Sequence, residues 1–213
     1  MAISRDKRFL ASADLKGNVF LWDMANGTIR QRFAVSGMVV RVSVNNDGSR
    51  VLTQSIPRSD KELGDGPAAI LWNGNSGEKL RTFSEGNFAS VLTNDGKHVL
   101  AMPSLWDAAS GQKIQSFPVP TNPAVLSEDG KHLWTCDGDG IKLFDPATAV
   151  ERCRLVTFDG GKDWLVVTPE GFFDCSEGAL ETVGHRIKGS LSIYDDAGTR
   201  RRFHRPGLFA TLW

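Results

Sequence analysis

Three aspartates near the middle of the chain have the residue types and part of the spacing of a calcium site. Asp137, Asp139 and Asp145 offer carboxylate oxygens, the ligands that Ca²⁺ prefers. A helix–loop–helix calcium loop also needs a third early oxygen ligand and a closing glutamate at its twelfth position, and the sequence has neither. The stretch from Asp137 to Gly140 instead has the composition of a tight hairpin turn. We therefore predict a turn here and no calcium site.

The four histidines are the other candidates for metal ligands. No two of them, and no histidine with a cysteine, have the spacing typical of zinc ligands; they are His98, His132, His185 and His204. The first two each follow an Asp-Gly-Lys turn, which indicates equivalent places in a repeat. We predict no bound metal and no cofactor.

Cys175 and His185 form the one local pair with the residue types of a nucleophile and its base. The residues around Cys175 do not resemble a caspase-type nucleophile motif, and no other set combines a nucleophile or metal with supporting groups. The glycines stand at turn positions, so no phosphate-binding glycine loop is present. We predict that the chain is not an enzyme and has no small-molecule substrate. A hydrolase would instead lose its activity when Cys175 or His185 is replaced.

The densest cluster of positive charge consists of four arginines, Arg200, Arg201, Arg202 and Arg205. Such a cluster can pair with phosphates in an anion or nucleic-acid contact. It can also be a solvated edge that Asp195 and Asp196 balance. The chain has 25 basic and 25 acidic residues, so no overall field attracts nucleic acid or an anionic membrane. We interpret the cluster as a candidate surface for a protein partner and expect no nucleic acid.

Composition places the chain among folded proteins of a reducing compartment. Of its 213 residues, 40% are hydrophobic and 23% are charged, which is enough to bury a core. Three scattered cysteines, Cys136, Cys153 and Cys175, argue against a disulfide framework. No apolar run approaches the roughly 18–20 residues of a membrane span, and residues 1–8 lack the apolar segment of a secretion signal. We expect a cytoplasmic protein.

The candidate residues belong to a repeated unit that is clearest in residues 128–145. The turn at Asp129-Gly130 is followed by a short run of β-favouring residues at 132–136, a glycine-rich turn, and a second such run at 141–144. An aromatic-Asp pair, Phe144-Asp145, closes the unit. A hairpin of this size is marginal in water and needs neighbours.

Three earlier copies of the unit end at Trp22, Trp72 and Trp106. With Phe144, these aromatic positions are separated by 50, 34 and 38 residues, and the longest interval contains an insertion at 55–67 rich in proline, glycine and charge. The underlying period in the high thirties indicates a four-stranded unit repeated around an axis.

The four repeated aromatics are predicted to lie between sheets. Four short antiparallel strands form a twisted sheet with two apolar faces, and these faces are covered only when sheets pack side by side. A large ring on each third strand fills the gap between neighbours. We therefore predict an all-β, propeller-type array of about four blades.

The chain over residues 1–155 resembles the WD-repeat β-propellers of bacteria. The resemblance rests on four strand endings, Leu21-Trp22-Asp23, Leu71-Trp72-Asn73, Leu105-Trp106-Asp107 and Leu143-Phe144-Asp145, and on Asp-Gly turns at 47, 95 and 129. No Gly-His dipeptide precedes the repeats, which argues against the buried His-Asp network of that family. Propellers of the family usually close with seven or eight blades, and here about four are present, the first without most of its innermost strand.

Residues 156–213 resemble the module that follows the propeller in many bacterial WD-repeat proteins. The matching stretches are 164–176 and 202–208. We predict strands at 163–168, 172–174 and 189–194, and a short helix after Pro206 that packs on the last blade. In that family the module often accompanies a caspase-like peptidase or another effector domain.

The resemblance implies a non-enzymatic scaffold that binds proteins, with a partner or a second copy of the chain completing the ring. Two alternatives remain. The chain is a recognition or regulatory subunit of a separately encoded effector enzyme, such as a caspase-like peptidase, or it is a truncated propeller without an independent role. Stable co-purification with an effector would identify the first, and a broad, poorly cooperative melt would identify the second.

Overall fold

The computed structural model describes residues 1–57, 68–83, 90–117, 124–127, 129–138, 140–181, 183–186, 193–194 and 197–212 of the chain. Within these residues the protein is largely antiparallel β-sheet with a few short helices, so the all-β prediction is confirmed. No helix in this part of the chain is long and apolar enough to cross a membrane. Most of the predicted insertion at 55–67 lies outside the described residues.

The first three sheets are four-stranded antiparallel meanders in sequence order. Sheet I consists of β1 (Ala2–Ile3), β2 (Phe9–Ala13), β3 (Asn18–Asp23) and β4 (Thr28–Ala34). Sheet II consists of β5 (Met38–Val44), β6 (Arg50–Ile56), β7 (Ala68–Asn73) and β8 (Lys79–Phe83). Sheet III consists of β9 (Ser90–Leu92), β10 (His98–Ala101), β11 (Ser104–Asp107) and β12 (Lys113–Ser116). The repeat period therefore corresponds to one sheet.

Sheet IV has six strands, two more than the repeat predicts. They are β13 (Ala124–Leu126), β14 (Leu133–Asp137), β15 (Gly140–Phe144), β16 (Glu151–Phe158), β17 (Asp163–Val167) and β18 (Phe173–Cys175). Residue 155, where two domains were predicted to meet, lies inside β16. Because Arg154 and the residues after it pair with β17, the sheet continues across that position.

The rest of the C-terminal region contains three short helices and a two-stranded ribbon. These are α1 (Glu177–Leu180), β19 (His185–Arg186), β20 (Ile193–Tyr194), α2 (Ala197–Phe203) and α3 (Leu208–Thr211). The helix expected after Pro206 is present as α3. The strand predicted at 189–194 is described only at its last two residues, and α2 was not predicted from the sequence.

A side-chain turn closes the first hairpin of each of the four sheets. In sheet IV the Ser127 hydroxyl donates to Asp129 Oδ1 at 2.6 Å, and the same carboxylate oxygen accepts the Lys131 N–H at 3.0 Å. The His132 N–H in turn donates to Ser127 Oγ at 2.9 Å. The corresponding pairs are Ser4 and Asp6, Asn45 and Asp47, and Thr93 and Asp95. These bonds satisfy backbone donors that the tight turn leaves without ladder partners.

The repeated aromatic-Asp ending has a second local role. Asp23, Asn73, Asp107 and Asp145 each accept the N–H two residues further on, at 2.9, 2.9, 3.1 and 2.9 Å respectively. The carboxylate or amide oxygen therefore replaces a backbone acceptor at the start of the turn into the fourth strand. This is why the pattern recurs where the third strand ends.

The core lies between successive sheets and not within them. On each third strand the leucine before the aromatic residue is buried. Leu21, Leu71 and Leu105 lie in clusters shared with the following sheet, whereas Leu143 of the last sheet lies in a cluster that α3 covers. The next residue points to the opposite face, because strand side chains alternate. Trp72, Trp106 and Phe144 accordingly join the clusters shared with the preceding sheet.

We predict that acid weakens the fold through these turns. The hydrogen bond from Ser127, and then the Lys131 N–H, lower the pKa of Asp129 below its usual 3.8. A lowered pKa in the folded state stabilises the fold above that value, and the contribution is lost as pH falls through the lowered pKa. We expect the free energy of unfolding, measured in urea between about pH 6 and pH 2, to fall below about pH 4.

The control for this acid effect is a hydroxyl that contacts no carboxylate. Ser127→Ala should make the loss of unfolding free energy below about pH 4 smaller. Thr211→Ala, which removes a hydroxyl bonded to the Leu208 carbonyl, should leave that loss unchanged. If Ser127→Ala loses as much unfolding free energy in acid as the wild type does, the Asp129 turn is not a cause of the acid effect.

We further predict that the aromatic residues differ in their importance by position. Trp106→Ala should lower the free energy of unfolding by about 3–5 kcal/mol, because it empties an inter-sheet contact. Trp22→Ala should cost only about 1–2 kcal/mol, since its face of sheet I is not part of a buried cluster. Urea unfolding of both variants measures the difference, and equal losses would contradict the assignment of faces.

Candidate interaction surfaces

Each internal interface is built on one aromatic contact. The ring of the later sheet's third strand meets a phenylalanine from the fourth-strand side of the earlier sheet. The ring centroids are 5.7 Å apart for Phe33 and Trp72, 5.6 Å for Phe83 and Trp106, and 6.1 Å for Phe117 and Phe144. Such tilted and edge-on pairs add to the area that burial removes from water. The structure therefore places three of the four predicted aromatics between sheets.

The fourth predicted aromatic, Trp22, lies on the outer face of sheet I. Register places Leu10 opposite Trp22 and Ile3 opposite Leu10, so these side chains share that face with Phe20. Ile3 is 52% exposed, and the other three are half-buried. None of the four belongs to a buried core cluster of the described residues. Sequence reasoning named only Trp22, although the alternation in β2 and β3 identifies the others.

The opposite end of the array is covered by the chain's own C-terminal helix. Phe209 and Leu212, at α3, pack against the cluster of Leu143, Cys153 and Val166 on sheet IV. In the register of the earlier sheets, Leu155 corresponds to Phe33 and Phe83. The cluster around Leu155 thus receives helix residues in the place where a following sheet would supply its aromatic ring.

A hydrogen bond from the indole N–H of the repeated tryptophan to a hydroxyl on the second strand is present in sheets I and II but not in sheets III and IV. Trp22 Nε1 donates to Ser12 Oγ and Trp72 Nε1 donates to Thr53 Oγ1, both at 2.9 Å. In sheet III the equivalent hydroxyl position is Ala101, and Trp106 Nε1 is buried with no partner among the described residues. In sheet IV the hydroxyl is present at Thr135, but Phe144 has no N–H to donate, and Thr135 Oγ1 is likewise without a partner there.

The segment before α3 is docked on β18. The Arg205 N–H donates to the Phe173 carbonyl at 2.7 Å, and the Gly207 N–H donates to Asp174 Oδ2 at 2.9 Å. The His204 ring stacks on Phe173 with centroids 5.0 Å apart. A buried carboxylate is tolerated here because backbone N–H groups hold its charge. This docking positions α3 over sheet IV.

The predicted arginine surface is divided by this arrangement. Arg200, Arg201 and Arg202 lie on α2, and Arg205 follows it, with its guanidinium carbon 4.7 Å from the Phe172 ring centroid. Arg200 is half-buried, and its Nε is enclosed without a partner among the described residues. Arg201, Arg202 and Arg205 are exposed. Asp195 and Asp196, the expected balancing charges, lie outside the described residues.

Two of the three cysteines, Cys153 and Cys175, have thiols that are poor nucleophiles at neutral pH. Burial first, and the nearby Glu151 charge second, raise the pKa of the Cys153 thiol to about 11. Burial and then Asp174 also raise the pKa of Cys175, against a smaller opposite effect of Arg200. A thiol with a raised pKa is mostly protonated at neutral pH and reacts slowly. The side chain of His185, the proposed base, lies outside the described residues.

No cluster of metal-ligating side chains is found in the part of the chain that the structure describes. Asp145 closes its turn and pairs with Arg152 at 3.0 Å, while Asp139 is outside the described residues. His98 and His132 follow equivalent turns in sheets III and IV, as predicted. His204 is stacked on Phe173, and His185 is in β19.

The comparisons with known proteins give no further guidance. No family model matches the chain, and no curated protein is significantly similar to it.

We predict that Ala101→Ser stabilises the protein by about 1 kcal/mol, because the new hydroxyl can accept the buried Trp106 N–H as Ser12 and Thr53 do in their sheets. Urea unfolding measures the gain. In a Trp106→Phe background the same substitution should be destabilising, since the hydroxyl is then buried without a donor. A gain of similar size in both backgrounds would show that the indole is not its partner.

Proposed function

We propose that this chain is a non-enzymatic scaffold that binds proteins, built as a partial propeller of WD-repeat-like blades. The first strands of successive sheets contact one another, β1 with β5 and β5 with β9, as the inner strands of a propeller do. The recurring Trp-Asp endings and Asp turns support the same reading. Propellers include enzymes as well as scaffolds, so the step from this fold to a scaffold role is an analogy.

The observation that carries the proposal is the outer face of sheet I. In sheets II, III and IV the equivalent face is buried against an earlier sheet through its aromatic residue. In sheet I the same face carries Trp22, Phe20, Leu10 and Ile3. None of these four side chains belongs to a buried cluster of the described residues. An apolar sheet face rimmed by polar residues is typical of a protein-binding surface. A partner's sheet, or a second copy of the chain, would bury it.

Two forms of this partner follow from the two ends of the array. A second copy that closes a ring would need the face of sheet IV that Phe209 and Leu212 cover, so α3 would have to leave. A different protein needs only the open face of sheet I. The C-terminal resemblance favours an effector enzyme as that protein, which would make the chain its recognition subunit.

We predict that Trp22→Glu abolishes partner binding or self-association, because it places a charge on the open face. Light scattering on a sizing column measures the native mass, and affinity capture followed by mass spectrometry identifies a partner. Val150→Glu is the matched control, since Val150 is 58% exposed and lies in the turn between β15 and β16 of sheet IV.

The proposal is contradicted if the wild-type protein is a monomer and captures nothing that Trp22→Glu loses and Val150→Glu retains. Circular dichroism must show the same β content in both variants. A broad melt of the wild type, without a partner, would favour the truncated propeller instead.

A further inference from the structure

A backbone bond joins the two turns at one end of each of the first three sheets. The residue after the repeated Asp or Asn donates its N–H to the carbonyl two residues past the first-turn Asp. The bonds are Met24 to Arg8 at 2.8 Å, Gly74 to Ser49 at 2.7 Å and Ala108 to Lys97 at 2.8 Å. They hold the two turns together. In sheet II the fit is so close that a Cβ on Gly74 would lie 2.0 Å from the Gly48 carbonyl oxygen.

Sheet IV cannot form this bond, because its donor position is Pro146. Proline has no backbone N–H. The equivalent acceptor, the Lys131 carbonyl, receives no hydrogen bond from the described residues. A cleft of about 490 Å³ lies at this place, between the turn of Asp129 and the turn of Asp145. The cleft therefore lies where the first three sheets have this bond.

The cleft is lined by both charged and apolar residues. Pro146 is buried, and Ala147 lies beside it. Asp129 makes all of its bonds to the described residues through Oδ1, which leaves Oδ2 to accept from a ligand. The Asp145 charge is already paired with Arg152 at 3.0 Å. Arg152 itself lines the cleft, and Gly130, Lys131 and His132 complete the lining.

We propose that this cleft binds an arginine side chain of a peptide partner. A guanidinium donates from a planar fork and can reach a carboxylate and a carbonyl together, here Asp129 and Lys131. Its methylene stem would pack on Pro146 and Ala147. The inference rests on the proposed scaffold role and deepens it, because it names a second contact on the sheet farthest along the chain from the open face of sheet I.

The test is a titration with acetyl-arginine methylamide, followed by the NMR resonances of the His132 imidazole. We expect a saturable shift with a dissociation constant in the millimolar range, on the order of 1–10 mM, as for a single side chain. The citrulline analogue has nearly the same shape without the charge and should bind at least about tenfold more weakly. No saturable shift, or equal binding of citrulline, would overturn the proposal.

Two variants separate the cleft from other basic-peptide sites. Pro146→Ala restores the N–H donor, so it should raise the melting temperature and abolish the shift. Asp129→Asn keeps the turn's oxygen acceptor but removes the charge, so it should weaken binding about tenfold. Unchanged binding in either variant would overturn the assignment. Tighter binding of free arginine than of acetyl-arginine methylamide would also overturn it, because the free α-amino or α-carboxyl group would then be what the site recognises.

The two proposed surfaces fail independently. Trp22→Glu should bind the arginine probe as the wild type does, and Pro146→Ala should retain whatever the open face of sheet I binds. Loss of the arginine shift in Trp22→Glu would show that the cleft does not act on its own and would overturn the proposal.

Discussion

The fold depends on the burial of sheet faces between neighbours. A four-stranded meander this small has two apolar faces and no interior of its own, so each sheet is stable only through the sheets beside it. The aromatic contact between a third-strand ring and the preceding phenylalanine contributes to this burial, and Phe83 and Phe144 are almost completely buried. The turns fix each meander locally, but the stacking of sheets makes the structure cooperative. The ends of such an array therefore determine how it can interact.

The two ends of the array of sheets differ, because one is covered by the chain's own C-terminal helix and the other is not. The last sheet is extended by β17 and β18 and covered by α3, whose position is fixed by the docking of residues 203–207 on β18. The first sheet has its inner face buried and its outer face free of any buried cluster of the described residues. An apolar sheet face that no neighbouring sheet covers favours association. The proposed partner surface is therefore on the first sheet and not on the last.

The sequence could predict the strands and the aromatic positions because these depend on local patterns. Turn residues at 47, 95 and 129 and the alternation around Leu21 and Trp22 determine strand ends and faces without reference to distant contacts. The continuation of sheet IV through β16 and the helix α2 could not be predicted in the same way. β16 pairs with a strand whose pattern also suits a separate module, and α2 contains three successive arginines with no apolar face to mark a helix.

Departures from the repeat in single copies have different consequences in the core and at the surface. Ala101 and Phe144 each remove one partner of an indole–hydroxyl pair. Both leave a buried polar atom without a hydrogen-bond partner among the described residues, and this costs stability. Pro146 also removes one donor, but the acceptor that loses it belongs to Lys131, which lines the cleft, where water or a ligand can donate to the carbonyl. The loss of one hydrogen-bond partner therefore destabilises the fold when it occurs in the core, whereas at the surface it leaves a group that a ligand can bond. A repeat protein can acquire a site by a single substitution that relaxes one copy while its neighbours keep the fold.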